Sequence, residues 1–125
     1  MTVTAVILSA GSGERFGSEV PKQFVKIAGL SVIEHTVGIF EKNKLIDEII
    51  IVVPSAFYDY TTELVVKNNF KKVKKIVKGG QTRQESSYAG LKACDPKTEK
   101  VLIHDAVRMF LTDEIIEKIV SSLDE

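Results

Sequence analysis

VTAVILSAGSGERFGSEVPKQ, residues Val3 to Gln23, decides how the rest of the chain is read. It opens as an apolar run, Val3–Leu8, with no polar face, as a strand buried on both sides of a parallel sheet requires. It then breaks into a loop containing Gly11, Gly13 and Gly17. Glycines let backbone N–H groups come close to an anion, and successive donors can surround it. Two cations, Arg15 and Lys22, sit in the same stretch, seven positions apart. The local reading is a phosphate-binding loop after a buried strand. Which phosphate it holds, and for what chemistry, has to come from the remaining residues.

Outward from this stretch the chain alternates. Ser31-Val-Ile-Glu34 is a capping box, in which a serine caps a helix and a glutamate reaches back. The helix runs to about Lys42, with Ile33, Val37 and Phe40 on one face. Glu48–Val53 (EIIIVV) is a second buried strand, closed by Pro54. Ser55 is expected to cap a helix over 56–69 that buries Phe57, Leu64 and Val65. Lys72–Val77 reads as a shorter strand nearer an edge. Gly79-Gly80 breaks the chain, and Thr82-Arg-Gln-Glu85 is a second capping box for a helix reaching about Cys94. Lys100–His104 is a fourth strand with Asp105 at its end. Thr112 caps a last helix with Ile115, Ile116, Ile119, Val120 and Leu123 on one face.

Four strand–helix units in succession predict an α/β fold with a mainly parallel sheet, right-handed crossovers and helices on both faces. In such sheets a ligand sits outside the carboxyl ends of the strands. The first loop, Gly79-Gly80 and His104-Asp105 all fall at that edge. At 125 residues the chain suits one domain, residues 1–125, or part of one.

Composition narrows the class. The 17 basic and 17 acidic residues balance, so no global field favours nucleic acid or an anionic membrane. The single cysteine, Cys94, has no internal partner for a disulfide, which fits a reducing compartment and a small apolar role on a helix. The N-terminal apolar run is too short for a signal peptide and lacks a basic flank. No stretch is long and apolar enough for a membrane span. A cytoplasmic, soluble protein is expected. Lys71 to Lys78 holds five lysines. They alternate with Val and Ile, so a solvated edge-strand face is the better reading than a nucleic-acid patch.

The loop is not a Walker P-loop, because no Gly-Lys-Ser/Thr closes it. Its glycines resemble a dinucleotide fingerprint. However, Pro21 interrupts the region, and the second strand ends in Val-Val-Pro without an acidic residue. A plain turn with solvated cations is the remaining structural reading. Three glycines flanked by two cations at the ligand edge argue against it.

Several ordered motifs carry a family resemblance. They are Leu8-Ser-Ala-Gly-Ser-Gly-Glu-Arg-Phe-Gly17, Pro21-Lys-Gln-Phe24, Glu34-His-Thr36, Gly79-Gly80 with Arg83 and Ser86, Gly90-Leu91 and His104-Asp-Ala-Val-Arg108. Together they resemble the cytidylyltransferases that act on 2-C-methyl-D-erythritol 4-phosphate or on ribitol 5-phosphate, over essentially all 125 residues. Two positions depart from the family pattern. Ser9 stands where alanine or glycine is usual, a small change. Met109 stands where proline is usual, which removes a stiffener from the loop after Asp105. Family members also continue well beyond this length. The chain therefore reads as the nucleotide-binding half of a Rossmann-like, three-layer nucleotidyltransferase (GT-A-like) fold, and its uncovered edge and face lead to an expectation of association or poor solubility.

The resemblance implies cytidylyl transfer from CTP to a polyol phosphate, with release of pyrophosphate and Mg²⁺ as cofactor. It also implies a homodimer in the full-length family, and no nucleic-acid or membrane partner. Arg15 and Lys22 would be the catalytic cations on the reacting phosphates. Ser9, Ala10, Gly11, Gly13, Gly80, Arg83, Ser86 and Ala106 would hold the nucleotide, and Asp105 the metal. A phosphate nucleophile with a second pKa of roughly 6 is already ionised at neutral pH, so no general base is needed. Cations that offset repulsion between two anions are the appropriate tools. Arg108 is read as a loop brace, and His35 and His104 as structural. Two other readings stand beside this one: a catalytically incomplete nucleotide-binding fragment, and an NAD(P)-dependent oxidoreductase. The ribitol reading is slightly favoured over the erythritol one by the Phe-Leu-Thr that follows Met109. Nothing in the residues selects the acceptor.

Overall fold

A computed structural model of the chain describes residues 2–9, 26, 27, 29–106 and 113–122. In chain order the elements are β1 (Thr2–Leu8), β2 (Lys26–Ile27), β3 (Leu30–Ser31), α1 (Val32–Lys42), β4 (Glu48–Val53), α2 (Tyr58–Asn68), β5 (Val73–Lys78), α3 (Arg83–Ala93), β6 (Thr98–Asp105) and α4 (Asp113–Ser122). Ala10, Gly11, Gly13, Arg15 and Lys22 lie outside the described residues, as do Arg108, Met109, Thr112 and Leu123.

The main sheet has the order β5-β4-β1-β6, and every pairing in it is parallel. Period-two alternation divides its side chains between two cores. Val3, Ala5 and Ile7 of β1, Ile49, Ile51 and Val53 of β4, and Leu102 of β6 face a layer formed by α1, α2 and α4. From the helices come Ile33, Val37, Phe40, Leu64, Ile116 and Val120. On the other face, Val6, Leu8, Ile50 and Val52 meet Ala93 of α3. Helices on both faces make the three layers expected from the alternating pattern, and explain why β1 and β4 show no polar face.

Gly90 brings α3 close to this second face. A side-chain carbon there would collide with Val6 Cγ1 and lie 3.1 Å from Val52 Cγ2. The lysine-rich strand β5 is an edge strand, with Lys74, Lys75 and Lys78 exposed, as its composition suggested.

Local signals succeed where the chemistry is short-range. At α1 the full capping box forms: the Ser31 hydroxyl accepts from the Glu34 N–H, and the Glu34 carboxylate accepts from the Ser31 N–H at 2.9 Å. Thr82 caps α3 by accepting from the Glu85 N–H at 3.1 Å, but its hydroxyl, in place of its N–H, faces the Glu85 carboxylate at 3.3 Å, so the second box is half formed. Two expectations need correction. Ser55 does not cap a helix; Ser55–Phe57 forms a 3₁₀ turn after Pro54, and α2 starts only at Tyr58. Pro54 supplies extended backbone into a tight turn, so the α-helix starts two residues later than the serine suggested. The antiparallel pair β2–β3, turning at Gly29 with φ +85°, was also not anticipated.

Candidate functional site

The strand order places a switch point between β1 and β6. From β1 the chain winds outward through β4 to β5, and α3 then carries it back to the opposite side of β1. In open α/β sheets a ligand is held outside the carboxyl edge, beside such a reversal of strand order. Leu8 and Asp105 are register partners at that edge. Three loops leave from it, each with its first N–H tied to a neighbouring strand. Ser9 N–H donates to the Val52 carbonyl at 2.8 Å, Gly79 N–H to Val53 at 2.8 Å, and Ala106 N–H to Leu8 at 2.9 Å.

Ser9 is buried, and its hydroxyl also donates to the Val52 carbonyl at 2.8 Å. This fixes where the glycine loop departs. Across the edge, Ser86 is fully buried at the start of α3. Its Oγ accepts from the Gly80 N–H at 3.1 Å and donates to the Gly80 carbonyl at 3.5 Å. Ser86 thus folds the Gly79-Gly80 turn onto the helix that follows. Gly80 has an intrachain reason to lack a side chain, because a carbon there would collide with Glu85 Cβ. Asp105 sits with its carboxylate about one-third exposed, and Arg83 Nε lies 3.4 Å from its Oδ1.

One residue at this edge has no role in the sequence reading. Thr36 of α1 is fully buried, and its hydroxyl donates to the Ala106 carbonyl at 2.6 Å. With the Ala106 N–H on Leu8, both backbone groups of the residue after Asp105 are pinned. The only sequence signal for it was its place in Glu34-His-Thr36. The start of α1 is itself braced. Burial pushes the Glu34 carboxyl up, but hydrogen bonds from the Ser31 N–H, the Asn68 amide and the Ser31 hydroxyl, with the field of Lys67, outweigh this. Glu34 is left below its ordinary value of 4.5. Asn68 links it to α2 at 2.8 Å. His104, on β6 and only partly buried, packs its ring against Phe40 at 5.5 Å between centroids. Cys94 follows α3, its thiol raised by burial and by Glu48 and lowered by Lys75.

Of the expected site residues within the described part, Ser9, Gly80, Arg83, Ser86, Asp105 and Ala106 all gather at this one edge. Ala10, Gly11, Gly13, Arg15 and Lys22 belong to the loop that leaves from Ser9 and lie outside the described residues.

A parallel sheet covered by helices on both faces, with Ser9, the Gly79-Gly80 turn and Asp105 at its carboxyl edge, is a three-layer α/β fold of the nucleotidyltransferase type. The chain belongs to the 2-C-methyl-D-erythritol 4-phosphate cytidylyltransferase (IspD) family, whose model it matches over residues 3–125. It is 43% identical over 122 residues to the bifunctional ribulose 5-phosphate reductase/CDP-ribitol pyrophosphorylase Bcs1 of Haemophilus influenzae, covering 96% of this chain and 26% of that protein. It is 41% identical over 114 residues to the 2-C-methyl-D-erythritol 4-phosphate cytidylyltransferase of Clostridium botulinum strain Langeland, covering 91% and 50%. Among solved structures, the 4-diphosphocytidyl-2C-methyl-D-erythritol synthase of Anaerococcus prevotii superposes with a TM-score of 0.84 at 34% identity, over 99% of this chain and 51% of that one. The chain spans about half the length of the single-function relatives and about a quarter of the bifunctional one. No helix among the described residues is long and apolar enough to cross a membrane.

Proposed function

We propose that this chain supplies the CTP-binding and cytidylyl-transferring half of an enzyme that joins CTP to a polyol phosphate and releases pyrophosphate. The observation that carries this is that Ser9, Gly80 and Asp105 lie at the same carboxyl edge of one parallel sheet, in a chain of the cytidylyltransferase family. A phosphate oxygen of the polyol phosphate forms a bond to the α-phosphorus of CTP. The bond from that phosphorus to the bridging oxygen breaks, and pyrophosphate leaves with the electron pair. The nucleophile is already an anion, so the protein's task is to bring two anions together.

Backbone donors of Ala10, Gly11 and Gly13 hold the triphosphate. Arg15 forks onto its oxygens, and Lys22 follows the α-phosphate as a point charge while negative charge builds there. Gly80, Arg83 and Ser86 close the nucleotide pocket, Ser86 by shaping the Gly80 turn. Ala106 lines it beside Asp105.

Mg²⁺ fits the residues present. Among the described residues no group of three His, Cys, Asp or Glu side chains forms a cage. Mg²⁺ takes one or two carboxylates plus substrate oxygens and waters, and Asp105 is such a carboxylate, already facing a cationic group. Asp105 would hold the ion, which supplies charge neutralisation to the phosphates. Both substrates are soluble anions, in keeping with a cytoplasmic enzyme and with no nucleic-acid or membrane partner. A homodimer is the assembly proposed for the full-length protein.

The acceptor is 2-C-methyl-D-erythritol 4-phosphate, for isoprenoid precursors, or ribitol 5-phosphate, for cell-surface polymers. The two similarities above support one each. Assaying CTP-dependent pyrophosphate release with each polyol phosphate in turn tests the reading. Release with one of them is the expected result. Thermal stabilisation by CTP without release from either would instead favour a nucleotide-binding fragment.

A further inference from the structure

The Gly79-Gly80 turn has both of its backbone donors tied up within the chain. Gly79 N–H donates to the Val53 carbonyl at 2.8 Å, and Gly80 N–H to Ser86 Oγ at 3.1 Å. Phosphate-binding turns work through such N–H groups, so these two glycines are not a phosphate cradle. What the turn offers instead are acceptors. The Gly80 carbonyl accepts from the Ser86 hydroxyl only at a long 3.5 Å. The Glu85 side chain is folded over the glycine: a carbon built at Gly80 would collide with Glu85 Cβ and lie 2.9 Å from its Oε2. The other carboxylate oxygen, Oε1, faces the Thr82 hydroxyl at 3.3 Å, and among the described residues no donor reaches Oε2. The same first turn of α3 also reaches Asp105, because Arg83 Nε lies 3.4 Å from Asp105 Oδ1.

We propose that Glu85 is a specificity-determining residue: its Oε2, beside the Gly80 carbonyl, accepts from the 4-amino group of the cytosine base and sets CTP apart from UTP. The proposal rests on the CTP reading above and deepens it. A nucleotide lying along the first turn of α3 has two ends to place. Phosphates at the Gly80 end would meet a carboxylate and a carbonyl, with neither glycine N–H to offset the repulsion. They belong at the Asp105 end, and the base is left for the Gly80 end. At position 4 cytosine carries an amine, which donates, where uracil carries an oxygen, which accepts. The amine meets a charged acceptor, the stronger kind of hydrogen bond. The uracil oxygen would face two acceptors and be repelled.

The test is calorimetric titration, with Mg²⁺ present, of CTP, UTP and the triphosphate of pyrimidin-2-one riboside. The last is CTP without its 4-amino group, and it keeps N3 as an acceptor. The wild type should bind CTP about 5- to 10-fold more tightly than either of the others, the low end for a base-edge contact because Glu85 is exposed. Glu85→Ala should weaken CTP by that factor and leave the pyrimidin-2-one nucleotide unchanged. Glu85→Gln keeps an acceptor for the Thr82 hydroxyl and adds an amide donor, so it should weaken CTP and strengthen UTP. A residue that only caps α3 would shift all three nucleotides together. Equal wild-type affinity for CTP and the pyrimidin-2-one nucleotide, or variants that move every nucleotide alike, overturns the Glu85 assignment alone. A wild type that binds none of the three overturns the CTP reading as well.

Discussion

Replacing Thr36 by valine removes one oxygen, keeps the shape of the side chain, and should loosen the turn that carries Asp105. The Thr36 hydroxyl donates to the Ala106 carbonyl across 70 positions of sequence, at 2.6 Å, and both residues are buried. Valine leaves that carbonyl without this donor in a site from which water is excluded. Stranding a buried polar group costs about 1–3 kcal/mol. The methyl that replaces the hydroxyl occupies similar volume, so packing recovers little of this. Thr36→Ser is the control. It keeps the donor and removes one methyl, worth about 0.8 kcal/mol. Urea unfolding of the wild type and both variants reads the difference, and at this chain length about 4 °C in melting temperature accompanies each kcal/mol. Thr36→Val should be the less stable variant and should also bind CTP with Mg²⁺ more weakly, with Thr36→Ser near the wild type in binding. A Thr36→Val protein as stable as the wild type would refute the reasoning, because the hydrogen bond would then contribute nothing.

Three further outcomes are expected. Gly90→Ala drives a methyl into Val6 and against Val52, and should destabilise by about 1–2 kcal/mol despite alanine's better helix propensity, measured by urea unfolding. Glu34 is held below 4.5 in the folded state, so its contribution is complete above the unfolded value and is lost as pH falls through the folded one. The stability gap between wild type and Glu34→Gln should therefore narrow as pH is lowered from 6 towards about 3, and a gap that widens with acid would contradict the assignment. Arg15→Ala or Lys22→Ala in the full-length enzyme should lower turnover by roughly 100- to 1,000-fold with an unchanged unfolding midpoint, and near-wild-type turnover would remove these residues from the reaction.

The fold was legible where local chemistry and burial agree. EIIIVV closed by proline gave β4 its observed bounds, and Ser31-Val-Ile-Glu34 gave α1 its start, because a continuous apolar run and a reciprocal cap each have one structural solution. Ser55 misled because several residues besides serine can precede a helix, and Pro54 imposed a 3₁₀ turn first. The β2–β3 pair is only two residues per strand, too short for a periodic signal.

At the site, Gly79-Gly80 and Asp105 could be assigned to one edge from the alternation of strands and helices alone; the first loop, assigned with them, lies outside the described residues. What they touch could not. Ser86 holding the Gly80 turn, Glu85 packed where a Gly80 side chain would stand, and Thr36 gripping Ala106 are contacts set by how α1 and α3 lie against the sheet. The residue types do not encode those distances. Thr36 shows this most clearly, since a buried threonine and a solvent-facing one look the same in a sequence.

The most direct measurement of the proposed site is calorimetric titration of CTP into the protein, with and without Mg²⁺, beside an Asp105→Asn variant and with NADP as the comparison nucleotide. Saturable, Mg²⁺-dependent CTP binding that Asp105→Asn abolishes, with no heat from NADP, is the expected result. NADP binding in place of CTP, or CTP binding indifferent to both Mg²⁺ and Asp105, would contradict the placement of a cytidylyl-transfer site at the β1–β6 edge.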